Sequence, residues 1–424
     1  MNYKAYTLRN FKEISQFASV SEQLIEEIEV VGRVLPFKTN NYVVDRLIDW
    51  SNIPNDPIFT LTFPRKEMLS AENYHKIYKM VKENYPEKDI AKEIRKIHMG
   101  LNPNPADQEH NVPMLEDVKL NGVQHKYRET VLFFPSQGQT CHAYCSFCFR
   151  WPQFSAVSEL KFHMKDAKLL YSYLDQHPQV TDILFTGGDP MTMSSNILAS
   201  YIDPLLSDRF NIKTIRLGTK SLSYWPYRYT TDSDAEDVLA LFQRVSDAGI
   251  NLSIQAHFNH PTELSTDEVA KAVRLIRSTG AQIRTQSPLL KHINDNAEIW
   301  IDMWRKQVDM SIIPYYMFVV RDTGSKQFFE LPLVRCWSIF KEAYSHVSGV
   351  CRTVRGPSMS AKLGKIQVLG VANVKNEKVF VLRFLQGRNM KWVDVPFFAK
   401  YDAAATWFDQ LVPAFGEEKF FFEP

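Results

Sequence analysis

The chain has 424 residues, 45% of them hydrophobic and 13% aromatic, enough to bury a large core and to build a catalytic domain with attached segments. Fifty basic residues against 48 acidic ones leave a formal charge of +2, a balance that points to no nucleic-acid surface and no membrane patch. Apolar stretches such as Ile313–Val320 fall well short of the roughly 20 residues that cross a bilayer, and Met1–Lys4 does not open a signal peptide, so a cytoplasmic protein is expected.

Residues 1–125 read as a mainly helical region. Helical patterns over Ser21–Arg33 and Ala71–Met99 alternate with turn-rich stretches such as Asn52–Pro57 and Asn102–Pro105. From Thr130 the pattern changes to strand-length apolar runs alternating with amphipathic stretches. The predicted strands are Thr130–Phe134, Asp182–Phe185, Ile212–Gly218, Asn251–His257, Gln282–Gln286 and Ile313–Phe318. Predicted helices lie near Met164–Gln176, Ser194–Ser207, Ser233–Ala248, Thr266–Thr279, Ala297–Asp309 and Pro332–His346. Such alternation fits a parallel barrel or a two-sided sheet equally well.

The strand ends favour the barrel. A cysteine loop follows the first strand, Thr186–Pro190 the second and Gly218–Ser221 the third; His257–Pro261, Arg284–Ser287 and Arg321-Asp322 follow the rest. Barrel enzymes assemble their sites at the C-terminal ends of strands, so these polar clusters would converge. The expected fold is α/β, a partial parallel (βα)6-type TIM barrel over residues 126–346, with the helical N-terminal region and a small α+β extension over 347–424. Within that extension Val350–Lys365 reads as a loop, and Ile366–Val374 with Lys378–Phe384 as a hairpin.

Three of the five cysteines, Cys141, Cys145 and Cys148, fall within eight residues in a C-x3-C-x2-C pattern, which indicates a metal rather than a disulfide framework. Three thiolates in one loop can hold three corners of a 4Fe–4S cluster and leave the fourth iron open. A zinc site would want a fourth ligand close by; His142 lies inside the loop, but Cys336 and Cys351 are far along the chain and read as buried thiols. In Thr186-Gly187-Gly188-Asp189-Pro190 the glycines allow close backbone approach, and Asp189 offers an acceptor for an ammonium group. Phe147 is read either against an adenine or as core packing. No Gly-rich phosphate loop, nucleophile elbow or Ser–His–Asp set is present, which argues against hydrolase and kinase functions.

Together these segments resemble the radical S-adenosylmethionine superfamily, and from about His125 to Val368 the chain is similar to its lysine 2,3-aminomutase branch. The likeness rests on Cys141–Arg150, Thr186–Pro190, His257–Pro261, Gln286–Leu290, Ile293–Asp295 and Pro314–Tyr316. It implies a 4Fe–4S cluster, S-adenosylmethionine, an amino-acid substrate and an electron donor such as flavodoxin or ferredoxin, while the sequence leaves open whether the chain forms a homo-oligomer. Thr219, Lys220, His257 and Gln286 stand where the family contacts the cofactor. Family members also hold pyridoxal phosphate as a Schiff base on a lysine, and the matching loop Gly356–Lys365 offers Lys362 by ungapped counting or Lys365 by its Gly-Lys-x-x-Val context.

Departures from the family bear on the ligands. Ser358, Met359, Ser360 and Ala361 replace glycines beside that lysine, and Thr130 stands where a phosphate-binding arginine is expected, with Lys126 and Arg128 as substitutes. Arg150 matches the arginine that pairs with an amino-acid carboxylate. Arg321 and Arg355 align with the two aspartates that hold the distal ammonium of lysine, so a substrate with a distal anionic group is expected instead. Asp322, next to Arg321, would restore a carboxylate after a one-residue shift. The expected reaction is amino migration; a radical enzyme without pyridoxal phosphate and a non-enzymatic iron–sulfur sensor or carrier are the alternatives.

Overall fold

The structure is a computed structural model and describes residues 1–155 and 160–423. Its centre is one mixed sheet of 11 strands in strictly sequential order. These are β1 Val123–Tyr127, β2 Thr130–Phe133, β3 Asp182–Phe185, β4 Thr214–Thr219, β5 Asn251–His257, β6 Gln282–Leu289, β7 Ile313–Val319, β8 Arg355–Ser360, β9 Gly364–Val374, β10 Glu377–Gly387 and β11 Pro396–Lys400. Strands β2 to β8 are parallel, whereas β1 pairs antiparallel with β2, and β9 to β11 form an antiparallel meander on β8. Edge strands β1 and β11 are not paired with each other, so among the described residues the barrel is not closed.

Strand side chains alternate between two faces. Val131, Phe133, Ile183, Phe185, Ile215, Leu217, Leu252, Ile254 and Ile283 are all at most 1% exposed and join the apolar stripes of the covering helices in one core. Those helices, Ala167–Asp175, Ser195–Ile202, Ala235–Asp247, Asp267–Ser278, Ala297–Asp309 and Leu333–Ser345, lie within the predicted spans. Thr266 and Asn296 accept from Val269 N and Glu298 N and so fix the starts of two of them.

Two sequence expectations are corrected. The stretch Ala71–Met99 is two helices, Ala71–Lys82 and Glu87–Gly100, because Asn84 turns left-handed (φ 52°) and Pro86 cannot continue a helical ladder. Part of the Val350–Lys365 segment, read as a loop, is β8, a seventh parallel strand held between β7 and β9 despite its Arg-Gly-Pro-Ser-Met-Ser sequence. The hairpin of β9 and β10 matches expectation.

The N-terminal region has its own core, in which Phe59 and Phe63 stack at 4.5 Å. That core includes Ala143, Tyr224, Leu290, Val320 and Phe329, residues that follow the C-terminal ends of β2, β4, β6 and β7. It therefore covers the strand ends where the polar clusters lie. No helix among the described residues is long and apolar enough to cross a membrane.

Candidate active site

The cysteine loop leaves β2 and is clamped from both sides. From the N-terminal region, Lys38 Nζ donates to Cys141 O at 2.7 Å, Asn40 Nδ2 and Tyr3 Oη donate to His142 O, and Ser146 Oγ donates to Thr60 O at 2.6 Å. From below, the Gly187-Gly188 turn lies flat against the loop. Gly187 has φ +140°, and a Cβ there would overlap the Gln139 side chain; one on Gly188 would overlap the Thr140 backbone.

Cys141, Cys145 and Cys148 are all free and half-buried. Burial pushes the Cys141 thiol well above its ordinary value, Cys145 up to about 12 and Cys148 up to about 11, and each rise is opposed by a different cation: Lys38, Lys220 and Arg150 respectively. Among the described residues no three His, Cys, Asp or Glu groups are arranged to hold a single ion. A cubane spreads three thiolates over three irons, and three cations around three thiols suit the negative charge of such a cluster; the donor set fits it.

Behind the loop, Asp189 is 2% exposed and fully engaged. Its carboxylate accepts from Thr219 Oγ1 at 2.7 and 2.8 Å, Lys220 N at 2.9 Å and Met191 N at 2.9 Å. These contacts tie the β3 turn to the end of β4. Thr219 is the other half of that tie. Lys220 Nζ reaches Glu263 at 2.5 Å and Asn259 at 2.9 Å, and Glu263, 0% exposed, also accepts from Ser223 Oγ and from the backbone of Asn259 and His260. Gln286 Nε2 donates to His257 Nε2 at 2.6 Å, and burial, then the charges of Lys220 and Arg150, push His257 down to about 3, so its imidazole is neutral. Phe147 lies edge-on to Phe329 within the N-terminal core, which favours its packing role.

Along the inner face of the sheet, next to this loop, is a cavity of about 240 Å³. Among the described residues its wall includes Lys126, Arg150, Arg216, Arg321 and Lys365 but only one carboxylate, Asp182. Arg150 stacks on Phe134 and Phe149 at 4.3 and 4.9 Å, and Arg321 takes the other contact with Phe149 at 5.0 Å. Burial, opposed by Tyr315 and reinforced by Arg216, Arg355 and Arg321, pushes the Lys365 amine down to about 7. Burial, then Arg388, Arg321 and Lys365, does the same to Lys126, which donates to Ala361 O.

The other sequence candidates lie outside this wall. Lys362 is exposed and pairs with Asp107 at 2.9 Å, because it precedes β9 whereas Lys365 is inside it. Arg355 is exposed, bonded to Tyr316 Oη at 3.2 Å and stacked on Tyr315, and Arg128 is exposed against Met390. Asp322 approaches Arg321 at 3.9 Å and does not line the cavity.

A provisionally named L-lysine 2,3-aminomutase of Aquifex aeolicus is 27% identical over 412 residues, 97% of each chain. The chain is a homologue of the lysine 2,3-aminomutases. The L-lysine 2,3-aminomutase of Clostridium subterminale is 26% identical over 272 residues, 64% of this chain and 62% of that enzyme, so this second match spans less than two thirds of the relative. These relatives support an enzyme of the isomerase class. No family model matches the chain. Among solved structures, Streptococcus suis SuiB bound to S-adenosylmethionine has a TM-score of 0.37 at 12% identity, covering 65% of this chain and 58% of that one. A radical SAM methyltransferase from Sphaerobacter thermophilus has a TM-score of 0.35 at 13% identity, covering 55% and 68%; likenesses this distant bear on no activity.

In this aminomutase homologue the sequence missed Asp182, Arg216 and Glu263. A signal for the first two was present, since polar residues recur every second position on one face of the strands: Thr130, Asp182, Arg216, Ser253, Gln255, Arg284 and Gln286. Glu263 had none beyond its place after a strand-end cluster.

Proposed function

We propose that this chain is a radical S-adenosylmethionine aminomutase whose substrate is an amino acid with a second anionic group rather than lysine. The observation that carries the reading is the cavity beside the cysteine loop, with five basic side chains and one carboxylate in its wall. A lysine side chain would add a cation beside the guanidiniums of Arg150, Arg216 and Arg321, whereas a second anion would be neutralised by them. The sheet is read as a partial barrel over residues 126–346, flanked by the N-terminal region and the 347–424 extension, in a cytoplasmic protein that receives electrons from a flavodoxin- or ferredoxin-like carrier.

In this reading Cys141, Cys145 and Cys148 hold the cluster, and Gly187 and Gly188 keep the loop seated. When bound, the cluster and S-adenosylmethionine supply a primary carbon radical able to take hydrogen from an unactivated carbon. The Arg150 fork, fixed between Phe134 and Phe149, binds the α-carboxylate and orients the carbon to be attacked. Arg321 holds the distal anion. The N-terminal core closes the strand ends to water. Lys365, whose amine burial pushes down to about 7 so that about half of it is unprotonated at neutral pH, is the residue that would hold pyridoxal phosphate, which when bound supplies the delocalisation that lets a nitrogen migrate. Lys362, exposed and ion-paired, is set aside.

A second reading, the same radical chemistry without pyridoxal phosphate, is favoured by Ser360, which stands in the wall where the family has a glycine, whereas Met359 and Ala361 beside it belong to the apolar core. Anaerobic reconstitution with S-adenosylmethionine and a reductant tests both. Release of 5′-deoxyadenosine should respond to L-glutamate or L-aspartate more strongly than to L-lysine; a stronger response to lysine would sink the substrate assignment. An imine absorbance, bleached by borohydride and lost in Lys365→Met, separates the first reading from the second.

A further inference from the structure

We propose that Arg216, held in place by Asp182, is the residue that recognises a phosphate or second carboxylate in the cavity. The proposal rests on the anionic-ligand reading above and adds a residue that the sequence did not single out. Arg216 is on β4 and Asp182 on β3, where the register sets Asp182 opposite Thr214 and Leu184 opposite Arg216. The two side chains are thus diagonal neighbours on the inner face.

Arg216 Nε donates to Asp182 Oδ1 at 2.7 Å and Nη2 to Oδ2 at 2.5 Å, a bidentate fork. Thr130, directly opposite Asp182 on β2, donates its hydroxyl to the same carboxylate at 2.8 Å and fixes it from the other side. The fork uses one edge of the guanidinium only. Nη1 makes no hydrogen bond to any described residue, although Arg216 lines the cavity.

A purely structural ion pair would join the same two strands. Three features separate this one from that role. Both side chains remain open to the cavity, at 20% and 21% exposure. The pair lies in a wall that also carries Lys126, Arg321 and Lys365 and, among the described residues, no second carboxylate. And Arg216 bears electrostatically on the Lys365 amine, which places both on the same space. A guanidinium with two donors committed and its remaining donors unspent is pre-ordered for an anion, since its rotamer entropy is lost before the ligand arrives.

The test uses the full chain with its cluster loaded anaerobically, and reads binding rather than turnover. One arm compares pyridoxal 5′-phosphate with pyridoxal, the other L-glutamate with L-2-aminobutyrate; each pair differs by one anionic group. In Arg216→Gln at least one of the two affinity ratios should fall roughly 10- to 100-fold, as expected for a lost charged hydrogen bond. A fall in the first ratio assigns the phosphate, and a fall in the second assigns the substrate carboxylate. Both ratios staying within about twofold of the parent would overturn the proposal. Arg216→Lys retains a charge for Asp182 but not the fork, and decides by the same ratios if the glutamine variant does not fold. Absence of 5′-deoxyadenosine would instead count against the radical reading and leaves these ratios readable.

Discussion

The amine of Lys365 lies 4.1 Å from the ring centre of Tyr316, inside the wall of the cationic cavity. That enclosure, more than any neighbour, sets its chemistry. Its pKa is about 7 against 10.5 in the unfolded chain, so aldehyde capture followed by borohydride should label Lys365, with a rate that rises through pH 7 and then levels. Peptide mapping should find the label lost in Lys365→Met and kept in Lys362→Met. The unfolded chain binds the extra proton between pH 7 and 10.5, so this residue makes stability rise with pH across that window, and Lys365→Met should flatten that part of the curve.

Gly188→Ala should uncouple cluster loading from the rest of the fold. The added methyl meets the Thr140 backbone, which has no flexible side chain to move aside. Overpacking of this kind costs about 1–3 kcal/mol, too little to unfold a large core but enough to displace the loop that begins at Thr140. Iron content and cluster absorbance after reconstitution should fall severalfold while the far-ultraviolet circular dichroism is unchanged; full iron content would contradict the packing argument.

Arg321 and Arg355 were equivalent in sequence and are not equivalent in the fold. Arg321 lines the cavity, whereas Arg355 is exposed at the start of β8 on the rings of Tyr315 and Tyr316. Arg321→Met should weaken binding of L-glutamate by roughly 10- to 100-fold, and Arg355→Met should change it by less than about threefold. Calorimetric titration of both variants checks the difference.

What could be read from the residues followed from periodicity. Apolar runs such as Asp182–Phe185 and Asn251–His257 are flanked by amphipathic helices, and the cysteine spacing is local, so both survive without three-dimensional information. Strand β8 was not legible, because Gly356, Pro357 and two serines carry little strand preference and only its neighbours on each side order it. Nor was the Asp182–Arg216 fork, which depends on the register between two strands 34 residues apart in sequence. The choice between Lys362 and Lys365 turned on where β9 begins, and a count along the chain cannot supply that.

Thr219→Val should destabilise the chain by about 1–3 kcal/mol, the cost of leaving a buried carboxylate short of a donor. The hydroxyl reaches both oxygens of Asp189 and also accepts from Ser221 N at 2.9 Å, and the valine is close in volume, so the loss reports the hydrogen bonds of this hydroxyl together. Urea unfolding of the cluster-free protein measures it; a change below about 0.5 kcal/mol would mean that the backbone donors Lys220 N and Met191 N satisfy Asp189 by themselves.

Glu263 collects the Lys220 ammonium, the Ser223 hydroxyl and two backbone N–H groups at a site with no solvent access. Removing the carboxylate leaves all four donors buried, and the ammonium uncompensated, so Glu263→Ala should cost about 3–5 kcal/mol. Glu263→Gln keeps the volume and one acceptor, and should cost less. Because Lys220 also lies 4.4 Å from the Tyr224 ring and Tyr224 Oη lies 3.7 Å from Cys145 Sγ, the damage should spread toward the cysteine loop. Hydrogen exchange should therefore quicken first at Ser223–Trp225 and next around Cys145, before the sheet strands respond. Uniform quickening across the sheet would show instead that the pair supports the whole fold rather than this corner of it.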